Sequence, residues 1–239
     1  METLSAIPLL VQVLRCLGAF LLYIAPCVAV LLFLYLRCSV PKFIFRKVLH
    51  LVAFSCVTLM ILAAESWQAA ALTAVLIAVA VYPILALLEP RPWFAGLFVQ
   101  KSPGEVKRSL LMLFLMFAAL TAVAWGLCGK PAVGAAAILM WGNGDAAAAL
   151  VGIPLGKHKV KARLTDGKKS WEGSGAMLAT SFLCGLLVLW LYAELPLGRA
   201  LLCAAAAGLL GTATELFSPS EWDTVTVPAV MLAVLLLLT

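Results

Sequence analysis

The sequence predicts an all-α polytopic integral membrane protein with about eight transmembrane helices in one bundle. Of its 239 residues, 64% are hydrophobic and only 12% are charged, and the mean hydropathy is +1.10. A soluble domain is roughly half apolar and about a quarter charged, so soluble and disordered classes are excluded. The apolar runs follow one another without a long polar linker, which predicts a single domain over residues 1–239.

Each predicted helix is an apolar run close to the roughly 20 residues that cross a bilayer core. The first run is overlong and contains Arg15 and Pro26, so we expect it to begin as an interfacial piece. The last contains Pro228, where we expect its regular helix to begin. The eight runs cover residues 8–36, 48–64, 67–88, 109–128, 132–152, 174–193, 199–217 and 224–238.

The basic residues are strongly one-sided. Most of the 17 Lys and Arg residues lie in three connections, at 37–47, 91–108 and 157–169, which eight spans place on the same side. The positive-inside rule predicts that this side is cytoplasmic and that both termini are outside. A positive electrostatic field on one side suits anionic lipid headgroups or a soluble polyanion as a partner, although membrane topology alone explains the basic residues equally well. No basic domain lies outside the membrane, so nucleic acid is not an expected partner.

Asp145 is the outstanding candidate residue, because a carboxylate at membrane depth is costly and usually marks function. It lies in the motif Trp141-Gly-Asn-Gly-Asp145, with Gly142 and Gly144 before it and alanines at 146–149 after it. Small neighbours allow close helix packing. The carboxylate suits Mg²⁺, which takes oxygen ligands and bridges phosphates. A structural aspartate and the proton-relay aspartate of a transporter are the alternatives.

The connection before the sixth run combines lysines with a glycine-rich helix start. Lys168 and Lys169 precede Gly173, Ser174 and Gly175. A helix N-terminus offers free N–H groups and a positive dipole end, and small residues let an anion approach them. The pattern predicts a phosphate cradle, and a basic collar that snorkels to the membrane surface is the alternative.

Further polar residues lie on the same side. Arg46 and His50 are spaced i, i+4, so they share a helix face, where His50 could bind phosphate or relay a proton. An ordinary polar contact is the alternative for this histidine. Glu215 and Asp223 lie in apolar surroundings, and we expect them to converge with Asp145. Carboxylates mixed with cations favour a metal together with a polyphosphate.

Three of these segments resemble motifs of the CTP-using membrane enzymes. The segments are Gly144-Asp-Ala-Ala-Ala-Ala-Leu-Val-Gly152, then Gly156-Lys-His-Lys159, then Lys169-Ser-Trp-Glu-Gly173. That superfamily contains the CDP-diacylglycerol synthases and the CTP-dependent lipid-alcohol kinases, which include dolichol kinase, phytol kinase and a CTP-dependent diacylglycerol kinase.

Two further elements resemble the kinase branch. Arg46-Lys47-x-x-His50 is similar to its Arg-Lys-x-x-His element, and Asp223-Thr-Val-Thr-Val-Pro228 is similar to its Asp-Asn-Leu-Thr-Val-Pro element. The Leu-Asp-Arg-x-Asp-Ser element of the synthases is absent from the sequence. The resemblance covers residues 46–228, and Thr224 departs from it by replacing the usual asparagine.

The resemblance implies that the γ-phosphoryl group of CTP passes to the hydroxyl of a membrane lipid alcohol at the cytoplasmic side. It implies a plasma-membrane location in a bacterium, or the endoplasmic reticulum in a eukaryote. Phosphatidate cytidylyltransferase activity is the first alternative, and a non-enzymatic transporter is the second. The implied roles are catalytic for Asp145, Lys169 and His50; Mg²⁺ binding for Asp145, Asp223 and Glu215; and nucleotide binding for Arg46, Lys47, Lys157, Lys168, Lys169, Ser170, Glu172 and Gly173.

Overall fold

The computed structural model describes residues 7–38, 40–91, 94, 104–160, 167, 169–219 and 222–239. Within these ranges the chain forms eight α-helices and no β-strand, and a π-helical segment, Ala122–Leu127, continues the fourth helix. The helices are α1 (Leu9–Arg37), α2 (Lys42–Ala63), α3 (Trp67–Leu88), α4 (Glu105–Thr121), α5 (Pro131–Leu155), α6 (Trp171–Leu191), α7 (Leu197–Phe217) and α8 (Asp223–Leu238).

By length and composition, every helix except α8 can cross a membrane, when α4 is taken together with its π-helical continuation. The predicted all-α polytopic membrane fold is therefore confirmed. With 16 residues, α8 is about 24 Å long at about 1.5 Å per residue, which is short of a bilayer core of about 30 Å.

The first helix runs without a break through Pro26 and covers almost the predicted residues. The expected start of the last helix at Pro228 was wrong. The last helix begins at Asp223, ahead of Pro228, which lies inside it. Membrane helices tolerate an internal proline because neighbouring helices and side chains compensate for the lost backbone hydrogen bond.

Polar contacts between helix ends show that the helices alternate in direction. Lys169, just before α6, pairs with Glu215 near the end of α7, and Arg15 near the start of α1 pairs with Glu65 just after α2. Arg46 near the start of α2 lies 4.0 Å from Glu105 at the start of α4, and Lys47 pairs with Asp145 in the second half of α5. The helix ends that flank the connections from α1 to α2, α3 to α4, α5 to α6 and α7 to α8 therefore lie together, at what we call the basic end. Exposed aromatic residues lie at both ends of the bundle, a distribution that is typical of membrane proteins: Trp171 and Trp222 at the basic end, and Trp190 and Tyr192 at the other.

Helix α5 is the central helix of the bundle. It packs against α2, α4, α6 and α8, and it is buried all round from Ala132 to Gly144. Its alanines and glycines allow this close approach: a Cβ at Gly144, for example, would lie 3.1 Å from the Met177 side chain of α6. The most enclosed helix of the protein therefore carries Asp145.

Candidate functional site

The site is built where α2 crosses α5. Gly142 leaves room for the Phe54 ring of α2, because a Cβ at this position would overlap that ring. Phe54 packs edge-to-face against Trp141 and Phe117, with ring centroids 4.7 and 4.9 Å away. The His50 ring lies 4.4 Å from the Phe54 ring, which fixes its position beside α5.

Asp145 faces α2 and not the lipid. Its Oδ2 atom accepts a hydrogen bond from Lys47 Nζ at 2.7 Å, and His50 Nε2 lies 3.4 Å from the same oxygen. The Lys47 side chain is 16% exposed and that of Asp145 is 31% exposed, so the ion pair is mostly enclosed by protein. The structure thus brings the Arg46–His50 motif and the Asp145 motif together.

Arg46 points away from this pair. Its Nη1 atom lies 4.0 Å from Glu105 Oε1 at the start of α4, so the residue that shares the Asp145-facing side of α2 with His50 is Lys47. Arg46 still lies within electrostatic range of the Asp145 carboxylate. It therefore contributes positive charge at the rim of the site.

Glu215 and Asp223 lie within electrostatic range of Asp145 and of each other. They do not complete a dense ligand set, since no three His, Cys, Asp or Glu side chains of the described residues group closely enough to hold a metal. Mg²⁺ is usually held by one or two carboxylates together with substrate phosphates. The donor chemistry therefore fits a Mg²⁺ that arrives with a nucleotide, and not a metal site formed by protein alone.

The start of α6 differs from the predicted cradle. The Trp171 N–H donates to His158 O at 3.0 Å, and the Gly173 N–H donates to the hydroxyl of the N-cap residue Ser170 at 3.2 Å. A Cβ at Gly173 would lie 2.9 Å from Ala148 O in α5. These N–H groups are already paired, and the glycine serves close packing of α6 against α5.

Glu172 closes the connection between α5 and α6. Its Oε1 atom accepts hydrogen bonds from the Lys157 N–H at 3.2 Å and the His158 N–H at 3.1 Å, and His158 Nδ1 lies 2.7 Å away. The structure therefore uses this carboxylate to fold the connection. The side chain of Lys157 is exposed, and Lys168 lies outside the described residues.

Lys169 reaches the end of α7. Its Nζ atom lies 3.2 Å from Glu215 Oε1 and donates to the backbone carbonyls of Glu215 and Ser218. Only 12% of its side chain is exposed. Together with Lys47 it forms a pair of largely buried lysines at the basic end.

Asn143, in the same motif as Asp145, is a buried polar residue for which the sequence predicted no contact. It is 8% exposed, and its Nδ2 atom lies 3.5 Å from Ser55 Oγ of α2 and 3.6 Å from Cys184 Sγ of α6. It thus links three helices through one amide. An amide at membrane depth is the sequence signal that identifies such interhelical contacts.

No protein-family model matches this chain, and no curated protein or solved structure shows significant similarity to it. The functional assignment rests on the motifs and the geometry of the chain itself.

Proposed function

We propose that this protein is a CTP-dependent kinase that transfers the γ-phosphoryl group to the hydroxyl of a membrane lipid alcohol, such as a polyprenol, a phytol-like alcohol or diacylglycerol. The observation that carries the proposal is the cluster of Lys47, His50 and Asp145 inside the membrane-spanning helices α2 and α5. The motif resemblance supplies CTP as the donor.

Phosphoryl transfer depends mainly on positioning and on neutralising negative charge. The Lys47 ammonium and the nearby Arg46 guanidinium supply positive charge at the basic end, where a soluble nucleotide arrives. A bound Mg²⁺, held by Asp145 and Asp223 together with phosphate oxygens, would neutralise the remaining charge. The mixture of acidic and basic side chains at this end fits that division of roles.

His50 is suited to receive the proton of the acceptor hydroxyl. Its Nε2 atom is buried and makes no hydrogen bond with the described residues, so in the tautomer with its proton on Nδ1 this nitrogen can accept a proton. The hydroxyl oxygen attacks the γ-phosphorus while the bond from that phosphorus to the β,γ-bridging oxygen breaks, and CDP leaves with the bonding electrons. The hydroxyl proton passes to His50, and Asp145, 3.4 Å away, stabilises the imidazolium that forms.

The position of the cluster in spanning helices supports a membrane-soluble acceptor. All three side chains belong to helices that are long and apolar enough to cross a membrane. An acceptor with an apolar chain can present its hydroxyl to them while the chain stays in the bilayer.

The position of the label in CTP tests the proposal. Purified protein in nanodiscs is given Mg²⁺, each candidate lipid alcohol or phosphatidate, and CTP labelled in either the α- or the γ-phosphate. The kinase transfers label to lipid only from the γ position. Transfer only from the α position identifies a cytidylyltransferase, and no transfer from either position leaves the transporter alternative; both outcomes contradict the proposal.

A further inference from the structure

Lys169 has no donor left for a phosphate group. An ammonium group carries three N–H donors. Those of Lys169 meet the Glu215 carbonyl, the Ser218 carbonyl at 3.1 Å and the Glu215 carboxylate at 3.2 Å. The side chain is nearly enclosed, so water does not replace these partners.

We propose that Lys169 is a positioning residue, which caps the C-terminus of α7 and thereby holds the start of α8 with Asp223 at the basic end, and that it does not bind the triphosphate. What Asp223 does there rests on the proposed kinase function. The role of Lys169 at the end of α7 rests on its own contacts and does not depend on the kinase function.

The end of a helix explains why a buried lysine is useful at this position. The last carbonyl groups of a helix lack partners within the helix, and a buried helix end needs other donors. A cation there also interacts favourably with the negative end of the helix dipole. Lys169 supplies both the donors and the positive charge, although it comes from the connection before α6 and not from α7.

Contacts run from Lys169 to the first turn of α8, in which Asp223 lies. Lys169 holds the carbonyl of Ser218, the C-cap residue of α7, and the Ser218 hydroxyl lies 2.9 Å from the Thr226 hydroxyl in the first turn of α8. The Trp222 N–H donates to Pro219 O at 2.9 Å, which tightens the same connection. Asp223 begins α8, so its position depends on where Ser218 is held.

This assignment leaves phosphate binding to Lys47. Its one hydrogen bond to the described residues goes to Asp145 Oδ2, so an ammonium with three donors keeps capacity for a phosphate oxygen. Lys47 also lies within electrostatic range of Asp223. The two buried lysines thus have different roles, one at the substrate and one at the end of α7.

Hydrogen exchange without nucleotide tests the proposal directly. Lys169→Met and Lys169→Arg are compared with wild type in nanodiscs, with Lys42→Met as a control because it removes an exposed lysine at the same end of the bundle. Lys169→Met should accelerate exchange of the backbone amides at 212–218 by about tenfold or more, since charge-assisted hydrogen bonds are lost. Exchange in Lys169→Arg should be faster than in wild type and slower than in Lys169→Met, and Lys42→Met should match wild type. Unchanged exchange in Lys169→Met would overturn the proposal.

Steady-state kinetics separates a positioning residue from a phosphate ligand. Lys169→Met should lower kcat and leave KM for CTP within about threefold of the wild-type value. Loss of a charged phosphate contact would instead raise KM about tenfold or more, and that result would overturn the proposal. If Lys169→Met does not fold, Lys169→Gln, which keeps two amide donors, carries both comparisons. The exchange measurement uses no CTP, so failure of the kinase proposal and failure of this one are distinguishable.

Discussion

The Lys47 ammonium and the Asp145 carboxylate form an ion pair of 2.7 Å between α2 and α5, although 98 positions separate them in the chain. Both residues lie in membrane-spanning helices. Removing one member of a buried pair leaves the other charge uncompensated, so the two residues depend on each other. The pair therefore has a role in stability as well as the proposed role in chemistry.

Asp145→Asn should abolish phosphoryl transfer while the protein still folds. The amide keeps the size of the side chain but removes the charge that the proposed metal and the imidazolium require, and we expect a loss of about a thousandfold or more. Initial rates of lipid labelling from γ-labelled CTP measure this. Glu65→Gln is the matched control, because it neutralises a carboxylate in a 2.6 Å ion pair at the opposite end of the bundle. Wild-type activity in Asp145→Asn would remove this residue from the chemistry.

Lys47→Met alone should destabilise the protein more than the double change Lys47→Met with Asp145→Asn. The single change leaves a poorly solvated carboxylate without its partner, and the double change removes both charges. A double-mutant cycle on the free energy of unfolding should give a coupling of about 1–3 kcal/mol. Additive effects of the two single changes would show that the ion pair contributes no stability.

His50→Gln should lower kcat by about a hundredfold, the usual contribution of a positioned general base. Wild-type activity should fall at acid pH because a protonated imidazole cannot accept the hydroxyl proton. The glutamine variant lacks this group, so its residual rate should lose that acid limb. A pH–rate profile of each protein is the measurement, and an identical acid limb in both would exclude His50 as the base.

Gly142→Ala should destabilise the protein by about 1–3 kcal/mol, because the added methyl group displaces the Phe54 ring. Activity should fall as well, since that ring packs against His50. Gly175→Ala is the matched control in α6, where a Cβ meets nothing within 4 Å. Thermal unfolding in detergent measures the stability of both variants. Equal midpoints for the two would contradict the packing account.

Glu172→Ala should open the connection between α5 and α6, because the N–H groups of Lys157 and His158 lose their shared acceptor. Limited trypsin digestion reports this as faster cleavage after Lys157 and Lys159. Glu65→Ala, at the other end of the bundle, should cleave at the wild-type rate in this connection. Unchanged cleavage in Glu172→Ala would mean that other contacts hold the connection.

Much of the fold and the centre of the site follow from the sequence. Apolar runs predicted the helices because a bilayer fixes the length and composition of a spanning segment. Asp145 stood out because an ionised group at membrane depth needs a partner, and Lys47 and His50 provide one. Both inferences use local sequence together with the properties of the membrane.

Other features depend on tertiary packing, which local patterns do not encode. The glycines at the start of α6 predicted an open anion site, but Gly173 packs against α5 and its N–H is paired with Ser170. Lys169 was expected to face a phosphate, and its position depends on where α7 ends, more than 40 residues later. Helix α8 begins before Pro228 because neighbouring helices support it.

The products of the reaction test the central claim most directly. Protein in nanodiscs with lipid alcohol, CTP and Mg²⁺ is followed by ³¹P NMR, which resolves CDP, pyrophosphate and lipid phosphomonoester. We predict that CDP and the lipid phosphomonoester appear in equal amounts with wild-type protein and that neither appears with Asp145→Asn. Release of pyrophosphate with a CDP-linked lipid, or no consumption of CTP, would contradict the account.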